Sequence, residues 1–430
     1  MKRKAYLDAG VIGFALFAMF FGAGNLIFPP YLGLNSGQHW LPGFLCFLLT
    51  DVGLAIMTVL VISKTEGGVE GVTAPLGKTA SRLLLSINML CLGPLIAIPR
   101  TAATTFEFSV QPFFPEIKSW VFSLAFFLLT AALTIRKSRV IDLIGAVLAP
   151  LMLVGLIALI AAGILSPMGN ISYTRPVGET VRDGILAGYQ TLDMLGGVVF
   201  SVSLLATAEQ KGYARPEEKV KVLRYASLIA AVALTAVYGG LSYLGASAGS
   251  VSPAGVSRTG LLIFIANRLM GKAGNILLGV IVAIACLTTA VGLLTSLASY
   301  FNEQTKGKLP YKASVIGFSA LSCLLANLGV SRIVELASPV LELIYPIMIT
   351  VIGFALFRRM AQHPIAYRCA AIGAMLFSLL SMLEDRVGLN LHLAALPLAE
   401  YGCGWVIPAM ICALLGVLTE QSLARQQKRS

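Results

Sequence analysis

Charge is what this chain has least of. Only 12% of its 430 residues are Asp, Glu, Lys or Arg, against 57% hydrophobic, and mean hydropathy is +0.84. A water-soluble globule cannot hide that much apolar surface behind so little polar exterior, so the chain reads as a polytopic membrane protein. Histidine is nearly absent. His39, His363 and His392 are the only three, all in loops or at the ends of apolar runs, with no spacing that suits a metal. The seven cysteines (Cys46, Cys91, Cys286, Cys323, Cys369, Cys403, Cys412) form no CxxC and mostly lie in apolar runs. They read as buried small side chains, with no disulfide framework and no zinc site. HExxH, GxSxG and paired intramembrane carboxylates are also missing, which argues against a membrane-embedded enzyme. No cofactor is expected.

The formal charge of +12 does not point to nucleic acid, because the basic residues stand in short clusters between apolar runs. Marking runs of roughly 17 to 25 residues gives about twelve spans. They start near Leu7, Leu41, Arg82, Trp120, Ile141 and Val181, then near Val222, Gly274, Tyr311, Ile333, Ile365 and Gly404. The run from Leu261 to Met270 is too short to cross and is expected to lie near the outer surface. Alternate loops collect most of the basic residues: Lys2, Arg3 and Lys4; Arg136, Lys137 and Arg139; Lys211 to Arg224; Arg358 and Arg359; Lys428 and Arg429. That asymmetry puts both termini in the cytoplasm, with the first apolar stretch retained as a span.

The stretch that organises the rest is Phe14 to Gly33, FALFAMFFGAGNLIFPPYLG. It is apolar enough to cross a bilayer, yet Gly22, Gly24, Asn25 and the pair Pro29-Pro30 argue against one straight helix. Backbone freed at membrane depth is tolerated only beside protein or a wet cavity, so the break predicts a polar site. The N–H groups of Gly22, Ala23, Gly24, Asn25 and Leu26 would suit an anion. Carbonyls from Ala18 to Phe21 would suit an ammonium or a cation. The bland alternative is a glycine pair at a tight helix crossing. In the sixth span, GYQTLDMLGGVVFSVSLL carries Asp193, Gly196 and Gly197 at mid-run, so it too should unwind and restart. Asp193 is costly in a bilayer and is expected at the site, capping the restarted helix or holding a cation or proton. Five spans separate the two breaks, which sets spans six to ten antiparallel to spans one to five as an inverted repeat with two spans appended. The bounds expected are 1–175, 176–358 and 359–430.

Thr288 and Thr289 put adjacent hydroxyls inside an apolar helix, where they either ligate sodium or bond back to the preceding turn. Arg100, beside Pro99, faces the bundle to pair with a carboxylate or carbonyl, or snorkels. Asp51 is open to the same two readings.

FALFAMFFGAGNLIFPPYLG, GPLIAIPRTAATTFE, GYQTLDML and ACLTTAVGLLTS resemble the corresponding segments of the branched-chain amino acid:cation symporters, and the similarity runs through nearly the whole chain. The resemblance implies a leucine-transporter-like fold, all-α, with a 5+5 inverted repeat. It also implies uptake of leucine, isoleucine and valine across a bacterial inner membrane, coupled to Na+ or H+. By similarity, Gly22 to Asn25 are the carboxylate-binding break, with Gly196 and Gly197 its partner. Thr288 and Thr289 join the carbonyls near Ala18 and Phe21 around Na+, and Phe200 is an aromatic gate or pocket wall. The expected mechanism is rocking of spans 1, 2, 6 and 7 against the other repeat helices. The alternatives are another small solute on the same fold, or a channel or sensor. Oligomeric state is not legible.

Overall fold

The computed structural model describes residues 2–135, 140–171, 175–213, 215–357, 363–387 and 391–427. Among them every regular element is helical. The first span is α1 (Lys2–Phe20) and α2 (Ala23–Ser36), and the second is α3 (Trp40–Leu48) and α4 (Leu54–Lys64) joined by a π-helical turn, Leu49–Gly53. A short α5 (Gly68–Thr73) leads to the third span, α6 (Lys78–Leu90) and α7 (Ala97–Thr105), followed by α8 (Ser119–Ile135) and α9 (Val140–Leu165). The sixth span is α10 (Val177–Thr191) and α11 (Asp193–Gln210), the seventh α12 (Pro216–Ala248). Then come α13 (Arg258–Gln304), α14 (Tyr311–Ala326), α15 (Gly329–Leu356), α16 (Pro364–Val387) and α17 (Val406–Gln427).

Among the described residues, eight helices are long and apolar enough to cross a membrane, nine with the bent pair of the first span, and three shorter apolar helices complete twelve. These match the twelve apolar runs, most of them starting a few residues earlier. The run Leu261 to Met270 is a helix of its own in geometry, because Gly271 at φ 60° and ψ −150° kinks α13 before its spanning part. Of the cysteines, Cys91 and Cys286 are buried and the other five only half-buried. Arg136, Lys137, Arg139, Arg358, Arg359, Lys428 and Arg429 lie outside the described residues.

Both predicted breaks exist, and both are shorter than expected. The first span bends by 72° over Phe21 and Gly22 alone, and α2 restarts at Ala23, so that Gly24 and Asn25 lie inside it. The helix then runs straight through Pro29 and Pro30. Those prolines forfeit two ladder donors, but α2 lies so close to α12 that a Cβ on Gly245 would collide with the Pro30 carbonyl, and the buried position holds the helix together. In the sixth span the break is one residue, Leu192, left-handed at φ 71°. For a leucine that conformation costs about 1–2 kcal/mol, an amount its fully buried side chain offsets. Gly196 and Gly197 are therefore not the break. They lie inside α11, where Gly197 lets the helix rest on α4, with the Ala55 carbonyl 3.1 Å from where a Cβ would stand.

The two halves pack alike. α1 and α2 lie along α12, as α10 and α11 lie along α3 and α4, so spans 1, 2, 6 and 7 form one four-span bundle. Its two seams are lined by glycine. At one, a Cβ on Gly33 would strike the Ser242 carbonyl, and at the other a Cβ on Gly184 would strike that of Gly43. Small residues allow this backbone-to-backbone approach where lipid supplies no hydrophobic drive. Outside the bundle, α13 packs on α7 and α9, and α14 on α8.

Candidate functional site

Four half-helix ends meet at the centre of the molecule, and side chains hydrogen-bond backbone groups at two of them. At the start of α2, Asn25 reaches back one turn, and its Oδ1 accepts the Gly22 N–H at 3.2 Å, one arm of a capping box. The same amide donates Nδ2 to Asp193 Oδ2 at 2.8 Å. Asp193 itself opens α11, where a carboxylate suits the positive end of a helix. At the negative end of α10, Arg100 donates Nη1 to the Gln190 carbonyl and Nη2 to the Thr191 carbonyl at 3.2 Å. Pairing to carbonyls thus decides between the readings left open for Arg100. The end of α1 has no such side-chain partner among the described residues. The Gly22 N–H that would continue its ladder to the Ala18 carbonyl is turned to Asn25 instead.

Between these ends lies a cavity of about 40 Å³, room for about three waters. Gly22, Ala23, Gly24, Asn25, Asp193, Gly196, Phe200 and Thr289 all line it, together with Arg100 and Thr191. Four residues expected at the site stand off its wall. Gly197 faces α4, and Phe21 turns its ring to Phe17 and Tyr238, at centroid distances of 5.4 and 6.1 Å. Ala18 is half-buried in α1. Thr288 donates its hydroxyl to the Ile284 and Ala285 carbonyls at 3.0 and 2.9 Å, the local bond that was the alternative to ion binding. A side chain on Gly24 has no room, since its Cβ would come within 2.8 Å of Arg100 Nη2.

Asp51 is the residue the sequence reading left unassigned, and it sits in the π-helical turn of the second span. Thr191 donates to its Oδ1 at 2.7 Å, and its carboxyl lies within hydrogen-bonding reach of that of Asp193. The expectation that no intramembrane carboxylates pair is thereby overturned. The two residues are 142 positions apart in sequence, and only the packing of α11 on the second span joins them.

A vestibule of about 630 Å³ opens beyond the site, between the later turns of α2 and α10 and the starts of α13 and α15. Phe28 and Gln190 form its floor, and Arg100 lies over the Phe28 ring at 5.8 Å, so this guanidinium separates vestibule from cavity. On the opposite side Phe20 and Phe200, one from each broken span, meet edge to face at 5.5 Å. Further out, Asp8 accepts from Lys211 Nζ at 3.0 Å and from the Tyr213 hydroxyl at 2.9 Å. Burial and that bond to Asp8 hold the Tyr213 phenol above its ordinary range, so it remains a donor.

The profile of the branched-chain amino acid transport protein family matches residues 6–423. The chain is 34% identical to the branched-chain amino acid transport system 2 carrier protein of Pseudomonas aeruginosa, over 100% of this chain and 99% of that one. It is 35% identical to a putative branched-chain amino acid carrier protein of Staphylococcus aureus, over 95% of each. Among solved structures it is similar to Mhp1, a nucleobase-cation-symport-1 family transporter, with a TM-score of 0.67 at 13% identity over 97% of this chain and 93% of that one. MhsT in complex with L-phenylalanine gives 0.55 at 17% identity, over 95% and 98%. These likenesses establish the leucine-transporter-like fold, with its inverted repeat and two further helices. On the family profile and the near full-length identity to its carriers, the chain belongs to the branched-chain amino acid transport protein family, whose members are membrane transporters.

Proposed function

We propose that the protein imports leucine, isoleucine and valine by symport with a cation, through alternating access. The observation that carries this is the meeting of two broken spans at one buried cavity, with Asn25 and Asp193 joined across it. A substrate carboxylate would compete with Asn25 Oδ1 for the Gly22 N–H and take the free donors at the start of α2. The substrate ammonium would lie against Asp193. The side chain would fill the apolar wall of Phe20, Phe200 and Leu293. Such a wall separates leucine from valine by only about 1–3 kcal/mol per methylene, so overlapping transport of all three substrates follows.

Na+ is the coupling ion this reading favours, carried as cargo between the carbonyls of Ala18 and Phe21 and the hydroxyls of Thr288 and Thr289. What supports it is the unfinished ladder at Ala18 and the position of Thr289 beside Gly22, its methyl 3.9 Å from where a Cβ would stand. The four-span bundle rocks against spans 3, 4, 5, 8, 9 and 10, opening the site alternately beyond Arg100 and beyond Phe20 and Phe200. The repeats take bounds 1–175 and 176–358, with 359–430 appended, in a bacterial inner membrane with both termini cytoplasmic. Counterflow of labelled leucine in proteoliposomes, with and without a sodium gradient, tests the proposal. Leucine exchange that a sodium gradient turns into accumulation supports it; absence of exchange overturns the substrate, and accumulation indifferent to sodium overturns the ion.

A further inference from the structure

The buried charges at the site do not balance. Asp51 is 0% exposed, Asp193 5% and Arg100 3%, so two carboxyls face one guanidinium inside the bilayer. The other titratable groups directed at the pair are the buried phenols of Tyr238 on α12 and Tyr345 on α15. A phenol is neutral when protonated and supplies no countercharge. With both carboxyls ionised the buried cluster carries one net negative charge inside the bilayer, and uncompensated charge there is expensive. A second observation points the same way. Asp51 Oδ2 has no hydrogen-bond donor among the described residues, although the carboxyl lies against that of Asp193. Two touching carboxylates repel, whereas a carboxyl and a carboxylate share a hydrogen bond. The donor missing at Asp51 and the positive charge missing from the cluster are one and the same particle.

We propose that Asp51 and Asp193 form a proton-binding site, holding one proton between them. The remaining geometry follows from that. Thr191 holds Asp51 Oδ1 and Asn25 holds Asp193 Oδ2, leaving one oxygen on each residue for the shared proton. With one proton shared, the pair keeps a single negative charge to face a substrate ammonium. The loaded cluster is then uncharged, since leucine adds no net charge, and binding leucine and binding the proton favour each other. The sign is fixed: leucine affinity is highest where the pair is protonated and falls as pH rises through its titration. The proton site is separate from the Thr289 face of the cavity and does not replace the ion there. Its transport readout rests on the symport reading, and its spectroscopic readout does not.

Two measurements on the full chain in lipid test it. Infrared difference spectroscopy of the wild type near neutral pH should show a protonated-carboxyl C=O stretch, sensitive to deuterium exchange. Asp51→Asn should lose it, and Asp51→Glu should retain it at a shifted frequency. In counterflow, the leucine concentration for half-saturation should rise about tenfold per pH unit above the midpoint, and Asp51→Asn should flatten that slope. A wild type without the band overturns the proposal, as does an Asp51→Asn protein that keeps either the band or the slope. A wild type with the band but without leucine exchange leaves the proton site standing and overturns the substrate reading instead.

Discussion

Asn25 and Asp193 are joined amide to carboxylate at 2.8 Å, and the same amide holds the Gly22 N–H. One side chain thus senses both interrupted spans. Replacing Asn25 with Ala leaves the Gly22 donor and an Asp193 oxygen unpaired, at about 1–3 kcal/mol. The variant should melt at lower temperature in detergent and lose leucine exchange. Unchanged melting would show that the two spans are held together elsewhere.

Gly24→Leu should abolish leucine binding in a protein that still folds. The displaced group is Arg100, whose Nη2 lies 2.8 Å from the position of the new Cβ. Binding assays in detergent beside a size-exclusion profile check both halves of the statement, and wild-type affinity in the variant would refute it.

Arg100→Met strands two helix-end carbonyls and an acidic pair, and should cost about 3–5 kcal/mol. Adding Asp51→Asn removes one of the two stranded carboxyls and should recover part of the loss. Melting temperatures of the two single variants and the double variant report the coupling directly. Strict additivity would separate Arg100 from the acids.

Thr289→Ala should shift sodium activation of leucine transport to higher concentration. Thr288→Ala should shift it less, because that hydroxyl is already committed to the carbonyls of Ile284 and Ala285. Sodium titrations of uptake in proteoliposomes distinguish the two. Normal sodium dependence in both variants would take the ion away from these hydroxyls.

Asp8→Asn should weaken the tie to Lys211 and Tyr213. Partly exposed pairs of this kind contribute about 1 kcal/mol or less, so the state open on that side should gain up to about fivefold in population. Reactivity of a cysteine introduced at Phe200 would report it, and an unaltered rate would exclude the tether as a gate.

Apolar run length and positional interruption made the spans legible, and odd spacing between the interruptions made the inverted arrangement legible. Composition was a poorer guide within a span. Gly196 and Gly197 looked like the weakest point of the sixth helix, but they serve contact with α4 and Phe200, and the turn falls at Leu192. A leucine forced left-handed by its surroundings carries no mark in the sequence. Asp51 was invisible as a site residue for a different reason: its partner is tertiary, and no period connects it to Asp193.

The glycine-lined seams have a mechanical meaning. Where backbone meets backbone, as at Gly33 with Ser242 and Gly184 with Gly43, no rotamers are available to absorb a change of angle. In the rocking proposed above, the four spans would travel as a stiff plate, with the flexure in the connections that leave it. Two of these, 65–77 and 249–257, carry glycines at positive φ, including Gly77 at 91° and Gly255 at 70°. Straining those bends with Gly77→Ala or Gly255→Ala, away from the central cavity, should slow turnover with binding untouched.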